Sequence, residues 1–488
     1  MYLYRAYFRL LKQTVLLTFF RVNDPYRIPL LFVLLLLVRL PIFLSDDYLT
    51  LPELNWMLVG ENLAEGDQLY TQLWENIGPL SALVYHLVDL VFSRSQVAYV
   101  ILAALLITYQ CLIFNDFLLR KKAFHENTYV PALVYALITC LSFDFYTLSP
   151  VLLSLTWVLL ALRNIFYRIE SQSRDVRILS TGIFIGLAAL CYLPSVIYLI
   201  SSLLAYLFFA NLSLRRFFML LYGFALPLLV AFTYFYLFEA SSGFAQQYLL
   251  SFRTIERNPY IGDWRLLIIG ITPLVFLIIS VYRLGRYKRY TNQQSKLQGV
   301  MGIKIVAALA TLLLVRQLAP YHLLYFVPPV AFFVTHFLLI IRRILIAELV
   351  AVGLAFLLIF NGYALLFNFF SLQQVTHSDQ LMIQPTAYDD LVAGKKVLML
   401  GKQINIYQKA RLATPYLNWS LASKQLTNLD DFKNVSFVYD AFRNDMPELI
   451  IDKSGLMPRV FERIPAIAAT YEKLPSQPIY RRIGAGQP

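Results

Sequence analysis

Charge is what this 488-residue chain has least of: 15% of its residues are charged, against 59% hydrophobic. A soluble domain carries about a quarter charged residues, so the composition excludes a simple water-soluble globule and points to a polytopic membrane protein. Cysteine is equally scarce. Cys111, Cys140 and Cys191 each fall inside an apolar run, with no CxxC pair and no Cys/His cluster. That spacing argues against a disulfide framework and against a soft-ligand metal site. Glycine fingerprints for dinucleotides or phosphate loops are missing, as are internal repeats, low-complexity stretches and long linkers. No small-residue cleavage site precedes the first apolar run, so the basic, amphipathic residues 1–27 read as a cytoplasmic interfacial helix and not a signal peptide.

What is present in abundance is apolar length. A bilayer core needs about 20 apolar residues in a helix, with roughly 17–25 tolerated. Candidate spans are 28–44, 97–119, 128–143, 149–167, 178–192, 194–210, 217–238, 265–283, 298–316, 322–341 and 345–367, about eleven in all. Aromatics make up 15% of the chain, as expected where many helix ends lie in two interfacial belts. The formal net charge is +13, yet Lys and Arg sit in short clusters between apolar runs, which is a topology signal and not a nucleic-acid surface. The segment Pro79 to Ser93, "PLSALVYHLVDLVFS", is too short to cross comfortably. Read as a juxtamembrane helix, it leaves 21 Lys and Arg in the loops of one side and five in those of the other. The rich side is the cytoplasm by the positive-inside rule. The N-terminus is then inside, and both the first loop and the C-terminus are outside.

After Phe370 the composition changes. "KKVLMLG" (395–401) and "PELIIDKSG" (447–455) read as short buried strands, "NLDDFKNVSFVYDAF" as helix and loop, and "PIYRRI" as a last strand. The expected architecture is an all-α membrane bundle over 28–370, carrying a first outer loop at 45–96, followed by a small α/β extracytoplasmic domain over 371–488.

That outer loop is the most acidic stretch. "SDDYLTLPELNWMLVGENLAEGDQLYTQLWENIGPL", Ser45 to Leu80, holds seven carboxylates and no Lys or Arg. Asp46 and Asp47 follow the first span. A helix from Leu51 closes at Gly66, a C-cap candidate; Tyr70 and Trp74 are interfacial anchors, and Gly78-Pro79 breaks the chain. Far along the sequence, "RQLAPYHLLYFVPPVAFF" (316–333) sets Arg316, Tyr321 and His322 before a Pro-containing helix.

The acidic pair after the first span, the helix ending in Gly66-Asp67, Glu75, the Pro79-Leu80 opening and the 316–333 segment resemble the GT-C membrane glycosyltransferases. The lipid A aminoarabinose transferases and protein O-mannosyltransferases are the nearest groups. The tail segments "ATPYLNWSL", "PELIIDKSG" and "YEKLPSQPIYRRI" resemble the extracytoplasmic end domain of many bacterial members. The chain departs from that pattern in having Asp46-Asp47 for Asp-Glu and Gly78-Pro79-Leu80 for Pro-Pro-Leu. The resemblance implies transfer of a sugar from a polyprenyl-phosphate donor to a lipid, polysaccharide or protein acceptor at the outer face of a bacterial inner membrane. A carboxylate base would take the acceptor proton, the role assigned to Asp47 or Asp46. A cation must meet the leaving lipid phosphate, the role assigned to Arg316, with Tyr321 and His322 beside it. Glu53, Glu75 and Asp144 are further candidates for substrate contact. Each acid has an ordinary alternative as a solvated or capping residue, and Arg316 as a snorkelling one. The clustered carboxylates could hold a divalent cation, Mg or Mn, though no spacing demands it. A transporter or flippase for a lipid-linked glycan, and a non-catalytic assembly subunit of the same fold, are the competing functions; nucleic acid is not an expected partner.

Overall fold

The computed structural model describes residues 16–44, 48–170, 175–254, 257–286, 290–413, 415–475 and 478–483. The packing divides the chain into two compact units. The first comprises Met1–Tyr48, Gln96–Val230 and Asn258–Gln380; the second comprises Leu49–Ser95, Ala231–Arg257 and Leu381–Pro488.

In the first unit, apolar helices follow the expected windows closely. By length and composition, six helices among the described residues can cross a bilayer: Gln96–Arg120, Pro150–Ile169, Leu214–Leu237 (which runs on into the second unit), Asn292–Leu314, Pro320–Ile340 and Ile344–Leu366. A seventh span requires counting Asp263–Ile269 and Ile271–Arg286, bent by 72°, as one. The expectation of about eleven is therefore not matched. Its remaining windows hold shorter helices, Arg27–Val38, Val130–Ile138, Val176–Cys191 and Leu193–Phe209. The reason is local. Each short window runs into a break, at Arg39-Leu40-Pro41, at Thr139 to Ser149, and at Tyr192-Leu193-Pro194, where proline or a turn interrupts the ladder. Conversely, the helix expected from 298 begins at Asn292, because Thr291 and Gln294 form a reciprocal capping box that starts it earlier.

Helix packing in this unit has a membrane character. Cβ atoms added to Gly182 and Gly223 would meet the carbonyl oxygens of Leu220 and Leu179 at 2.2 and 2.3 Å, so the two helices approach through small residues. Within Leu214–Leu237 only 17% of the apolar window is buried, whereas 72% is buried in Pro150–Ile169 and in Pro320–Ile340. A face as apolar and open as that of Leu214–Leu237 is tolerable against lipid and a liability in water.

The second unit is built on a five-stranded sheet: β1 (Lys396–Leu400), β2 (Arg411–Leu412), β3 (Leu449–Asp452), β4 (Tyr471–Lys473) and β5 (Ile479–Arg482), in the order β2-β1-β3-β5-β4. β1 pairs parallel with β2 and β3, whereas β5 pairs antiparallel with β3 and β4. The three strands expected from sequence are β1, β3 and β5; β2 and β4 are too short to carry a periodic signal. Asp431 caps the helix Phe432–Asn444 by accepting from Lys433 N at 3.0 Å.

The first loop packs in this unit too. Its helix Leu51–Ala64 is capped by Thr50, whose hydroxyl accepts from Glu53 N, and it ends before Gly66 at φ +103°, a conformation glycine takes without strain. Pro79–Phe92 has 14 residues, about 21 Å of helix, too short to cross. Leu83, Leu87, Leu90 and Val91 are exposed along it while Tyr85 and Val88 are buried, the pattern of a helix lying in an interface. Between these helices Trp74 enters the hydrophobic core of the sheet domain with Leu398, Leu400, Ile450, Val438 and Phe442. Its backbone N donates to Pro415 O at 3.0 Å, and its O accepts from Asn418 N at 3.2 Å. Trp74 is an anchor, but to protein and not to the interface. Replacing it, Trp74→Ala, is expected to destabilise this unit by roughly 3–5 kcal/mol, the cost of truncating a buried aromatic. Limited proteolysis of the purified protein, followed by mass mapping, should show accelerated cleavage within 381–483; an unchanged pattern would refute the anchoring role.

Candidate active site

Three interruptions of the apolar helices meet at one pole of the first unit. They are the connection 139–149, the break at Tyr192, and the segment 315–326. Ser142 is extended, and Phe143–Tyr146 forms a 3-10 turn that carries Asp144 inward. Across from it Pro320 starts a second 3-10 turn, Pro320–Phe326, whose first amide groups have no partner within the turn. Asp144 supplies one: its Oδ2 accepts from Tyr321 N at 2.7 Å. Asp144 is 3% exposed, and its second oxygen, Oδ1, is buried without a hydrogen-bond partner among the described residues. Burial raises its pKa to about 7, and the hydrogen bond from the Tyr321 amide pulls it down only partly. At neutral pH the carboxyl is thus poised between its two forms, the condition for proton transfer.

His322 is buried, and both ring nitrogens are engaged. Nε2 lies 2.7 Å from the Tyr192 hydroxyl, and Nδ1 lies 2.9 Å from the carbonyl oxygen of Ala319. The ring therefore locks the 3-10 turn to the Tyr192 break, which makes it a positioning residue in this state. The Tyr321 ring packs on it at 4.3 Å. Arg316 is half-buried one turn earlier, and its carbonyl accepts from Asn258 N at 3.0 Å. Sequence reasoning had Asp144 as an accessory acid and overlooked Tyr192. The only signal for the tyrosine was Pro194, two residues on, which marks a break and hence a place where side chains must finish the backbone bonds.

Asp46 and Asp47, the expected base, lie outside the described residues. Their described neighbours on either side reach this same pole. Arg39 is fully buried, donates from Nη1 to Leu35 O at 2.9 Å, and sits over the Tyr146 ring at 4.6 Å. Its Nε and Nη2 have no partner among the described residues. On the other side Tyr48 packs edge-on against Phe367 at 6.0 Å. Asn361 completes the pole, donating to Leu141 O at 3.1 Å and Ile269 O at 3.2 Å.

Glu53 and Glu75 belong to the second unit. Glu53 is buried in the first turn of its helix. Glu75 is fully engaged: Oε2 accepts from Asn55 Nδ2 at 3.2 Å, while Oε1 accepts from Asn418 Nδ2 at 3.0 Å and from Asn76 N at 2.8 Å. Burial raises its pKa, opposed by those hydrogen bonds. This carboxylate ties the first loop to the sheet domain. Among the described residues no group of three or more His, Cys, Asp or Glu is placed to hold a metal ion.

No protein-family model matches the sequence, and no curated protein matches it. Solved structures do. ArnT from Cupriavidus metallidurans bound to undecaprenyl phosphate superposes with a TM-score of 0.57 at 13% identity, covering 95% of this chain and 100% of that one. The same protein in the apo state gives a TM-score of 0.55 at 12% identity, covering 93% and 96%. The archaeal oligosaccharyltransferase AglB from Archaeoglobus fulgidus, in complex with an inhibitory peptide and a dolichol-phosphate, is more distant, with a TM-score of 0.47 at 12% identity over 95% and 75% of the two chains. The resemblance drawn from short motifs thus extends to the fold of the whole chain: this is a multi-pass membrane protein with the architecture of ArnT.

Proposed function

We propose that the protein is an integral membrane glycosyltransferase that moves a sugar from a polyprenyl-phosphate donor to an acceptor at the outer face of the membrane. The observation that carries this reading is the composition of one pole of the membrane unit. A buried Asp144 with one carboxyl oxygen unsatisfied, the half-buried Arg316, and Arg39 and Tyr48 from the chain before and after Asp46-Asp47 gather there. Fold similarity to a protein solved with undecaprenyl phosphate supports the choice of donor. In the reaction an acceptor hydroxyl oxygen bonds to the anomeric carbon and the bond from that carbon to the phosphate oxygen breaks. The electron pair leaves with the phosphate, and the hydroxyl proton passes to a carboxylate. Asp47 or Asp46 is assigned as that base, and Arg316 as the cation facing the leaving phosphate. Asp144 holds the Tyr321 turn and modulates the local field. The acceptor class is a lipid, a polysaccharide or a protein. A divalent cation held by the acidic pair is compatible with this chemistry and not required by it.

One feature favours a flippase instead. Lys304 is buried midway along the span Asn292–Leu314, with its Nζ 2.8 and 3.3 Å from the hydroxyls of Ser201 and Ser202, and intramembrane charge is a mark of transport paths. Two measurements separate the readings. With purified protein and a radiolabelled polyprenyl-phosphate sugar, Asp47→Asn or Asp46→Asn should lower transfer by about 100-fold or more, within the range of general base removal. Full transfer in both variants removes the assigned base, and translocation of labelled lipid without any transfer product selects the flippase.

Asp144 gives a pH test. Its folded-state pKa is raised from 3.8 to about 7, so its stabilising contribution is complete below pH 4 and is lost as pH rises to about 7. Wild type should therefore lose thermal stability relative to Asp144→Asn across that window, by up to roughly 1.4 kcal/mol per pH unit. A difference independent of pH there would mean an ordinary carboxyl.

A further inference from the structure

At the opposite pole of the first unit, three connections border an open pocket of about 370 Å³. They follow Arg21, Arg120 and Ile340, and they belong to the Lys/Arg-rich side of the topology, with Lys121, Lys122, Arg342 and Arg343 at or beside them. The volume falls in the range of small-ligand sites. Its wall is half polar, half apolar: Arg342, His336, His125 and the Arg21–Glu126 pair on one side, Leu339 to Ile341 on the other.

The charges decide what can enter. Arg21 is already paired with Glu126, Nε to Oε2 at 2.9 Å and Nη2 to Oε1 at 3.1 Å, so that couple is neutral overall. Arg342 makes no ion pair or hydrogen bond among the described residues and leaves the cavity net positive. His336 is 3% exposed, wedged against the Phe124 and Phe332 rings at 4.4 and 4.7 Å, and its Nε2 has no partner. A buried polar atom without a partner is costly unless something completes it. His336 and Arg342 border the same pocket, and the unpaired guanidinium is the donor that an oxyanion would meet there, with the imidazole beside it. His336 and His322 lie 14 residues apart on one helical run, about 20 Å, so the cavity is distinct from the candidate active site.

We propose that this pocket binds a phosphate-bearing anion at Arg342, with the His336 side chain forming the wall beside it. The shared chemistry is a net negative phosphate, offered either by the headgroup of an anionic lipid, whose chains would lie along Leu339 to Ile341, or by free phosphate. In the positive-inside topology a lipid would come from the cytoplasmic leaflet.

The test uses the full-length protein, delipidated in an uncharged detergent. Native mass spectrometry is used to titrate it with dioleoylphosphatidylglycerol, dioleoylphosphatidylcholine and, separately, inorganic phosphate. Phosphatidylglycerol should be retained at least about fivefold more than phosphatidylcholine, and His336→Gln with Arg342→Gln should abolish the preference. Phosphate binding that matches this preference, and is lost in the same variant, identifies the free ion as the source. Equal retention of both lipids together with no phosphate adduct overturns the proposal, as does an undiminished preference in the variant. Because His336 is buried, Arg342→Gln alone, an exposed change checked by an unaltered melting temperature, must reduce retention on its own.

Discussion

A backbone that breaks inside an apolar layer must find hydrogen-bond partners from elsewhere, because no water is there to supply them. That constraint organises the membrane unit. The short helices leave open ends, and buried polar side chains close them: Asp144 takes the Tyr321 amide, Asn361 serves the carbonyls of Leu141 and Ile269, and Tyr146 donates to Cys140 O at 3.2 Å. At the other pole Thr128 donates to Phe20 O at 3.0 Å, and Glu348 accepts from Leu17 N at 2.6 Å. The polar groups that give each pole its chemistry are, in large part, the ones that make broken helices possible.

The two poles then differ in charge, and function follows the difference. The pole poor in Lys and Arg gathers the buried Asp144 carboxyl, the half-buried Arg316 guanidinium, and Arg39 and Tyr48 from the chain before and after the acidic pair. Such groups suit the transfer of a sugar carried on a membrane-anchored phosphate. The pole rich in Lys and Arg carries a pocket bordered by the unpaired Arg342 and by His336. On the proposed reading, a single bundle carries sugar transfer at one pole and anion binding at the other. The second unit, built around Trp74, draws residues 49–95 and the last hundred or so residues into one core.

Much of this was legible in the sequence, for physical reasons that also explain the remainder. Long apolar runs are read directly, so Gln96–Arg120 and Ile344–Leu366 match the expected windows to within a residue or so. The strands β1, β3 and β5 were visible because each is a compact apolar run with a turn signal. The number of crossing helices was not, since hydropathy windows pass over breaks such as Tyr192 to Pro194 without registering them. Packing partners were also hidden. Nothing in the linear order announces that Trp74 and Glu75 join a core made of residues beyond 380, or that Tyr192 meets His322. Among site residues, acidity and position picked out Asp144, yet its burial and its bond to Tyr321 depend on contacts across 177 residues. Asp46 and Asp47 rest on sequence reasoning alone.

The most direct test of the account is to ask where a lipid phosphate sits. A polyprenyl phosphate carrying a diazirine beside the phosphate, photolysed with the protein in native membranes and mapped by peptide mass spectrometry, should label 139–147 and 315–326. Labelling confined to the pole of Arg21, His125 and Arg342, or none that unlabelled polyprenyl phosphate competes away, would contradict it.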